Sequence, residues 1–136
     1  MKKGLSLVLA LVCALALFAG CSRFQPTDVE NVSMKITDAS SKGATLTIKD
    51  SNEEKFVYGE WYKIVKVEDG NWLELETLTG RLTFDELAYV PDSKGIVEFT
   101  INWEATYGEL PAGTYRLMKD VNSRYISAEF VVKETK

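Results

Sequence analysis

The chain has no histidine, only two cysteines, three prolines among 136 residues, and no long apolar run outside its first twenty positions. Without histidine it lacks the side chain that most often acts as a general base near neutral pH, and the commonest metal ligand with it. A nucleophile activated by imidazole is therefore excluded, which leaves carboxylates as the one route to enzymatic chemistry. Cys13 lies inside the apolar N-terminal run and Cys21 just behind it, so no disulfide framework staples the rest of the chain. Basic residues are also in deficit, 16 Lys and Arg facing 20 Asp and Glu for a formal charge of −4, with both signs scattered. Nucleic acid, whose phosphates call for a clustered basic surface, is not an expected partner. No cofactor is called for.

What is present begins with the N-terminus. Lys2 and Lys3 precede an apolar stretch from Leu5 to Phe18 and the small pair Ala19-Gly20, the layout of an export signal. Three readings compete over Cys21. A membrane-spanning helix needs about 20 apolar residues, and the uncharged stretch from Gly4 to Gly20 falls marginally short. An ordinary secretory signal cut after Ala14-Leu15-Ala16 would leave a short apolar region. The third reading accounts for more residues. Phe18-Ala19-Gly20-Cys21 resembles the lipobox of bacterial lipoproteins, departing from it at Phe18, where leucine is usual. That resemblance implies a leader at residues 1–20 that is removed, a diacylglyceryl group on the Cys21 thiol, and a mature protein held on the extracytoplasmic face of the cell membrane. One acyl chain gives only marginal, reversible binding at about 0.8 kcal/mol per buried CH2, so two palmitate-like chains on one thiol hold firmly. Removing residues 1–20 leaves 116 residues with 14 basic against 20 acidic, a charge of −6. Such a length suits one compact domain with its own core, and the acidic excess favours solubility beside an anionic envelope.

Residues 21–31 include Pro26 and several polar residues without periodicity, and read as a lipidated tether. A domain is expected over 32–136. Its pattern is that of strands. Val32, Met34 and Ile36 share one face, and so do Ala44, Leu46 and Ile48, with a polar turn between the two runs. Asp69-Gly70, between β-rich runs, is the strongest hairpin signal in the chain. In the first of those runs Tyr62 and Ile64 face one way, Trp61, Val65 and Val67 the other, and both sets are apolar enough to be buried. A further piece around Leu82 to Val90 ends at Pro91. Val97, Phe99, Ile101 and Trp103 then alternate with polar residues in the cleanest core strand of the chain. Tyr115 and Leu117 point inward after a Pro111-Gly113 corner, and Ile126, Ala128, Phe130 and Val132 face inward on the last strand. Short strands between turns, with helix limited to a single turn near Phe84 to Tyr89 or Trp103 to Gly108, predict an antiparallel β-sandwich.

The segment Leu110-Pro-Ala-Gly-Thr-Tyr115 resembles the tyrosine corner of immunoglobulin-like sandwiches, whose hydroxyl bonds backbone a few residues upstream. With the runs Tyr58 to Leu75, Phe99 to Lys119 and Tyr125 to Val132, the chain is similar to the bacterial Ig-like domain family over most of residues 32 to 133. The resemblance implies an all-β Ig-like sandwich of about seven to eight strands, surface exposure, and a binding or spacing role. It supplies no catalytic residues. Tyr115 and Trp103 are then structural.

Carboxylate pairs offer the weak case for an enzyme: Glu74 with Glu76, or Asp85 and Glu86 with Glu60 and Glu104. Glu74 and Glu76 lie two apart, close enough to raise one pKa, yet Leu-Glu-Leu-Glu also describes a half-exposed strand. Asp50 to Glu54 and the turn at Asp92 are acidic loops that suit calcium only in ligand type; they read as solvated turns, and no metal is expected. Aromatic residues are numerous at 11%, more than one inner face per sheet accommodates. Trp61 and Trp72 flank the predicted hairpin and are expected as cross-strand neighbours, forming with Tyr58 an exposed patch that suits a sugar face or a protein hot spot.

The expected protein is a non-enzymatic, lipid-anchored module that binds or positions another envelope protein, with a cell-wall glycan read through Trp61, Trp72 and Tyr58 as the alternative. Mass spectrometry of the mature N-terminus should find Cys21 acylated, and C21S should lose membrane retention. An unacylated start at another residue would reject the anchor.

Overall fold

The computed structural model describes residues 26–79, 84 and 86–134; the leader, Cys21, Asp85 and most of the stretch from Leu82 to Asp85 lie outside them. Seven strands form two antiparallel sheets. One has the order β1 (Val32–Thr37), β2 (Gly43–Asp50), β5 (Ile96–Asn102); the other has β4 (Asn71–Glu74), β3 (Tyr62–Glu68), β6 (Gly113–Val121), β7 (Arg124–Val132). A single helical turn, α1 (Glu104–Tyr107), follows β5.

Alternation decides which side chains meet between the sheets. In the first sheet Met34, Ile48 and Val97 stand in register, as do Ile36, Leu46 and Phe99. In the second, Ile64 is paired with Leu117, and Leu117 with Ala128. Leu46, Ile48, Ile64, Leu117 and Trp103 are inaccessible to water. β5 ends at Asn102, one residue earlier than its alternation suggests, and Trp103 caps α1. Its indole remains in the core, 5.4 Å from the Phe130 ring, with Nε1 donating to Ser41 O at 2.8 Å.

The tyrosine corner is present. Tyr115 is buried and its hydroxyl donates to Pro111 O at 2.6 Å. Both two-residue turns of the second sheet have positive φ at their centres: Asp69 and Gly70 (50° and 79°), Asn122 and Ser123 (49° and 65°). That conformation matches the twist of the strands it joins.

Two expectations need correction, and the open question of β3 is answered. Residues 26–31 are part of the folded body: Val29 is in the core and Thr27 N donates to Tyr125 O at 2.7 Å. Polar composition hid one well-placed valine. Between Leu82 and Val90, the described residues form only an isolated bridge, Tyr58 with Tyr89, and the single helical turn is the one after Trp103. Of the two faces of β3, Tyr62 and Ile64 point between the sheets, yet Val65 is also inaccessible on the outer side, because long side chains lie over it.

The sandwich has two distinct ends. Residues 26–31, the loop 51–61, the turn 91–95 and the turn 122–123 gather at the N-terminal pole, tied by Ser51 N to Asn31 O and Asp50 N to Gly95 O. The far pole holds the turns 38–42 and 69–70, α1 and the tyrosine corner, tied by Trp103 N to Lys42 O and Leu110 N to Ser41 O. Gly95 has φ 81°, and a Cβ there would meet Asp50 O at 2.2 Å. G95A should lower stability by about 2–4 kcal/mol through strain and overlap, and Y115F by about 1 kcal/mol through the lost bond. Urea titration of each variant measures both, with G95A the larger.

Candidate functional site

The two outward sheet surfaces differ in kind. On the first sheet the outward positions are Ser33, Lys35, Thr37, Thr45, Thr47, Lys49, Glu98, Thr100 and Asn102, an ordinary polar surface with Ile96 as its apolar exception. On the second, the outward phase runs through Lys63, Val65, Val67, Trp72, Glu74, Thr114, Arg116, Met118, Ser127, Glu129 and Val131, with Trp61 and Tyr125 at its N-terminal end. Val65 and Met118 there are as inaccessible as the core.

What seals them is a layer of amphipathic side chains lying flat. The Arg116 guanidinium sits 4.9 Å from the Trp72 ring centre and donates from Nε and Nη2 to Ser127 Oγ at 3.2 and 3.0 Å. Lys63 pairs with Glu74 at 3.1 Å, its stem covering apolar surface. Trp61 and Tyr125 lean together at 5.4 Å. A planar cation on an indole face gains electrostatically and fixes both groups, so Arg116 and Trp72 are held in place on this surface.

The expected aromatic triad does not form. Val67 is the register partner of Trp72, and Trp61 lies six residues upstream of Val67, about 20 Å along the strand. β4 has only four residues and never reaches Trp61. Tyr58 is fully buried, its hydroxyl donating to Asp50 Oδ2 at 2.9 Å. Trp61 instead meets Tyr125, and Trp72 meets Arg116; neither pairing was legible without the order of strands.

The carboxylates are dispersed: Glu76 and Glu86 are exposed, and the three others described are engaged. Glu74 binds Lys63, Glu60 accepts from the Tyr89 hydroxyl at 2.7 Å, and Glu104 lies 3.6 Å from Lys42. Asp85 is outside the described residues, among which no three His, Cys, Asp or Glu converge on a metal position. Asp92 closes its turn, accepting from the N–H groups of Lys94 and Ile96 at 2.9 and 3.0 Å.

Two charges are buried at the N-terminal pole. Asp50 continues the inward phase of β2 and accepts four bonds, from Asn52 N (3.0 Å), Asn52 Nδ2 (2.9 Å), Phe56 N (2.8 Å) and the Tyr58 hydroxyl. Burial alone would raise its pKa, but these donors together hold the carboxyl below its ordinary value. Lys119 continues the inward phase of β6, donates to Gly59 O and to Trp61 O (3.0 Å), and lies 4.3 Å from the Phe99 ring centre. Burial pushes the Lys119 ammonium down to about 8, with Glu60 and Asp120 opposing. Both residues could have been found in the sequence by extending the apolar alternation one step further and noting a charge on the inner face.

A family model described as Bacterial Ig-like domain matches residues 28–131. No curated protein and no solved structure matches the chain.

These charges give stability a defined pH dependence. Asp50 binds fewer protons folded than unfolded at acid pH, so its contribution is present above about pH 4 and is lost as pH falls through the folded pKa. Lys119 binds fewer protons when folded between about 8 and the ordinary 10.5, so stability rises with pH across that window. Tyr58 and Tyr107 are raised, both first by burial, Tyr107 to about 12, so each holds its proton longer when folded and stability falls above about pH 10. Thermal melts should show the midpoint climbing from pH 8 toward 10 and then dropping. K119M should abolish the climb and keep the drop; a climb that persists in K119M would reject this assignment.

Proposed function

Because the chain belongs to the bacterial Ig-like domain family, we propose that it works as a non-catalytic extracytoplasmic module, tethered through diacylglyceryl-Cys21, that presents the outer face of its four-stranded sheet to another envelope protein. The observation that carries this reading is the difference between the two outward surfaces. One is polar, while the other has two aromatic clusters over sealed apolar side chains. Aromatic residues and arginine are the groups that dominate protein interfaces, and rigid ones lose little entropy on binding. The absence of histidine and the engagement of Glu74, Glu60 and Glu104 agree with a role that asks no chemistry of the chain.

The anchor bears on how that face is presented. Four residues separate Cys21 from Pro26, so the five intervening steps reach at most about 18 Å. An anchored module would therefore keep its N-terminal pole near the lipid, with the sheet face upright beside it.

The test uses the full chain in its producing bacterium, carrying a photoreactive residue at Val67 on the outer face. A discrete cross-linked envelope protein is expected. W61A combined with Y125A should weaken that complex about 30-fold or more, as loss of interface hot spots does, whereas T45A combined with T47A on the polar face should leave it unchanged. Equal loss from both pairs, or from neither, would overturn the assignment of the face.

A further inference from the structure

Tyr115, Leu117, Lys119 and Val121 alternate along β6 toward the space between the sheets, so one amine enters the core by phase alone. Lys119 is 1% exposed, and an ammonium at that depth must find acceptors, because a buried charge without partners is costly. Its register partner on β3 is Tyr62, the first residue of that strand. The stem therefore reaches the residues that precede β3. Nζ donates to Gly59 O and, at 3.0 Å, to Trp61 O, and it sits 4.3 Å from the ring centre of Phe99 on the opposite sheet.

The segment held in this way is the one that turns Trp61 outward. Gly59 has no side chain. Glu60 lines a cavity of about 170 Å³ together with Lys119, Tyr62 and Phe99, and its carboxylate accepts from the Tyr89 hydroxyl at 2.7 Å. Trp61 projects to the other surface, where its ring lies 5.4 Å from that of Tyr125. Each held carbonyl fixes the plane of its peptide unit, and the Trp61 Cα lies between the two held units. One amine thus ties the inner surface of the first sheet, through Phe99, to the outer face of the second.

We propose that Lys119 is the positioning residue of the partner-binding face: its two bonds, made from inside the sandwich, hold the Trp61 indole against Tyr125 on the outside. This rests on the reading above that the outer face of the four-stranded sheet binds an envelope protein, and it adds a residue that acts on the contact without touching the partner. Aromatic anchors fixed in advance lose less side-chain freedom on binding than mobile ones do. Methionine in place of Lys119 keeps the length and the apolar stem, so the core stays filled, while both bonds are lost and residues 59–61 are released with their indole. Trp72, at the far end of the row, is placed by β4 and Arg116 and does not depend on Lys119.

The test labels the full chain with 5-fluorotryptophan, so that Trp61, Trp72 and Trp103 each give a fluorine resonance, with Trp61 assigned through W61F. In K119M the Trp61 resonance should move toward the position of free tryptophan while the Trp72 resonance stays. I48V, a core substitution in the first sheet that lowers the melting temperature without touching residues 59–61, should move neither. K119C should behave as K119M, and aminoethylation of its thiol during refolding from urea, which rebuilds an ammonium on a stem of lysine's length, should return the Trp61 resonance. Cross-linking at Val67 should show the complex weakened about tenfold in K119M. Adding K119M to W61A with Y125A should cost nothing more, as for residues that act through one contact. A Trp61 resonance unmoved in K119M, one moved as far by I48V, or one left displaced after aminoethylation would each overturn the proposal. So would a loss on K119M that persists in the W61A and Y125A background. If the wild type captures no partner, the reading of the face fails, and the fluorine resonances decide the positioning by themselves.

Discussion

The second sheet is referenced to β6, because β6 is hydrogen-bonded on both edges, to β3 and to β7. A strand paired on both sides cannot shift by one residue without turning every side chain of its neighbours to the wrong face. Its inward phase of Tyr115, Leu117, Lys119 and Val121 therefore fixes Tyr62 and Ile64 on one side and Ala128 and Ile126 on the other. Its outward phase of Arg116 and Met118 fixes what lies over Val65. The tyrosine corner at one end and the Asn122-Ser123 turn at the other hold β6 at both limits. Core and outer surface thus follow from one register.

The same phase that packs the core also carries a charge into it, and the two buried charges are handled differently. Asp50 is surrounded by donors from the loop that follows its own strand, so the carboxylate organises residues 52–58 and the loop in turn satisfies the carboxylate. Local donors cost little chain entropy to gather, which is why the charged form wins over burial. Lys119 reaches across sequence to the carbonyls of Gly59 and Trp61, and these, with Glu60, Asp120 and the Phe99 ring, oppose the cost of its burial. Two carbonyl dipoles and an aromatic face offset desolvation less completely than four direct donors do. Lys119 also holds the backbone of the residue whose indole faces outward against Tyr125, so an inner-face lysine fixes the start of the outer-face aromatic row.

The alternations of β2, β5, β6 and β7 were legible in the sequence because each runs long enough for period two to declare itself against any other period. The core placement of Trp103 followed from that phase even though its strand stops one residue short. Tyr115 was legible because proline, glycine and tyrosine sit at the spacing a corner needs. What could not be read depends on partners distant in the chain. Tyr58 looks like any aromatic in a loop until Asp50 is placed beneath it. Trp61 and Trp72 flank the same turn, but a turn sets register only as far as the shorter strand extends, and β4 ends at Glu74. Val29 was lost among polar neighbours because one buried residue has no period.

Charge at the N-terminal pole bears on how an anchored module would stand. Asp28, Glu30, Glu53, Glu54 and Asp92 are exposed there, against Lys55 and Lys94. Anionic headgroups repel such a surface within about a Debye length, roughly 8 Å at physiological salt. A lipid tether reaching no more than about 18 Å would oppose that repulsion by holding the pole close, and the balance would leave an anchored sandwich upright. In that posture the row from Trp61 to Trp72 would run outward from the lipid.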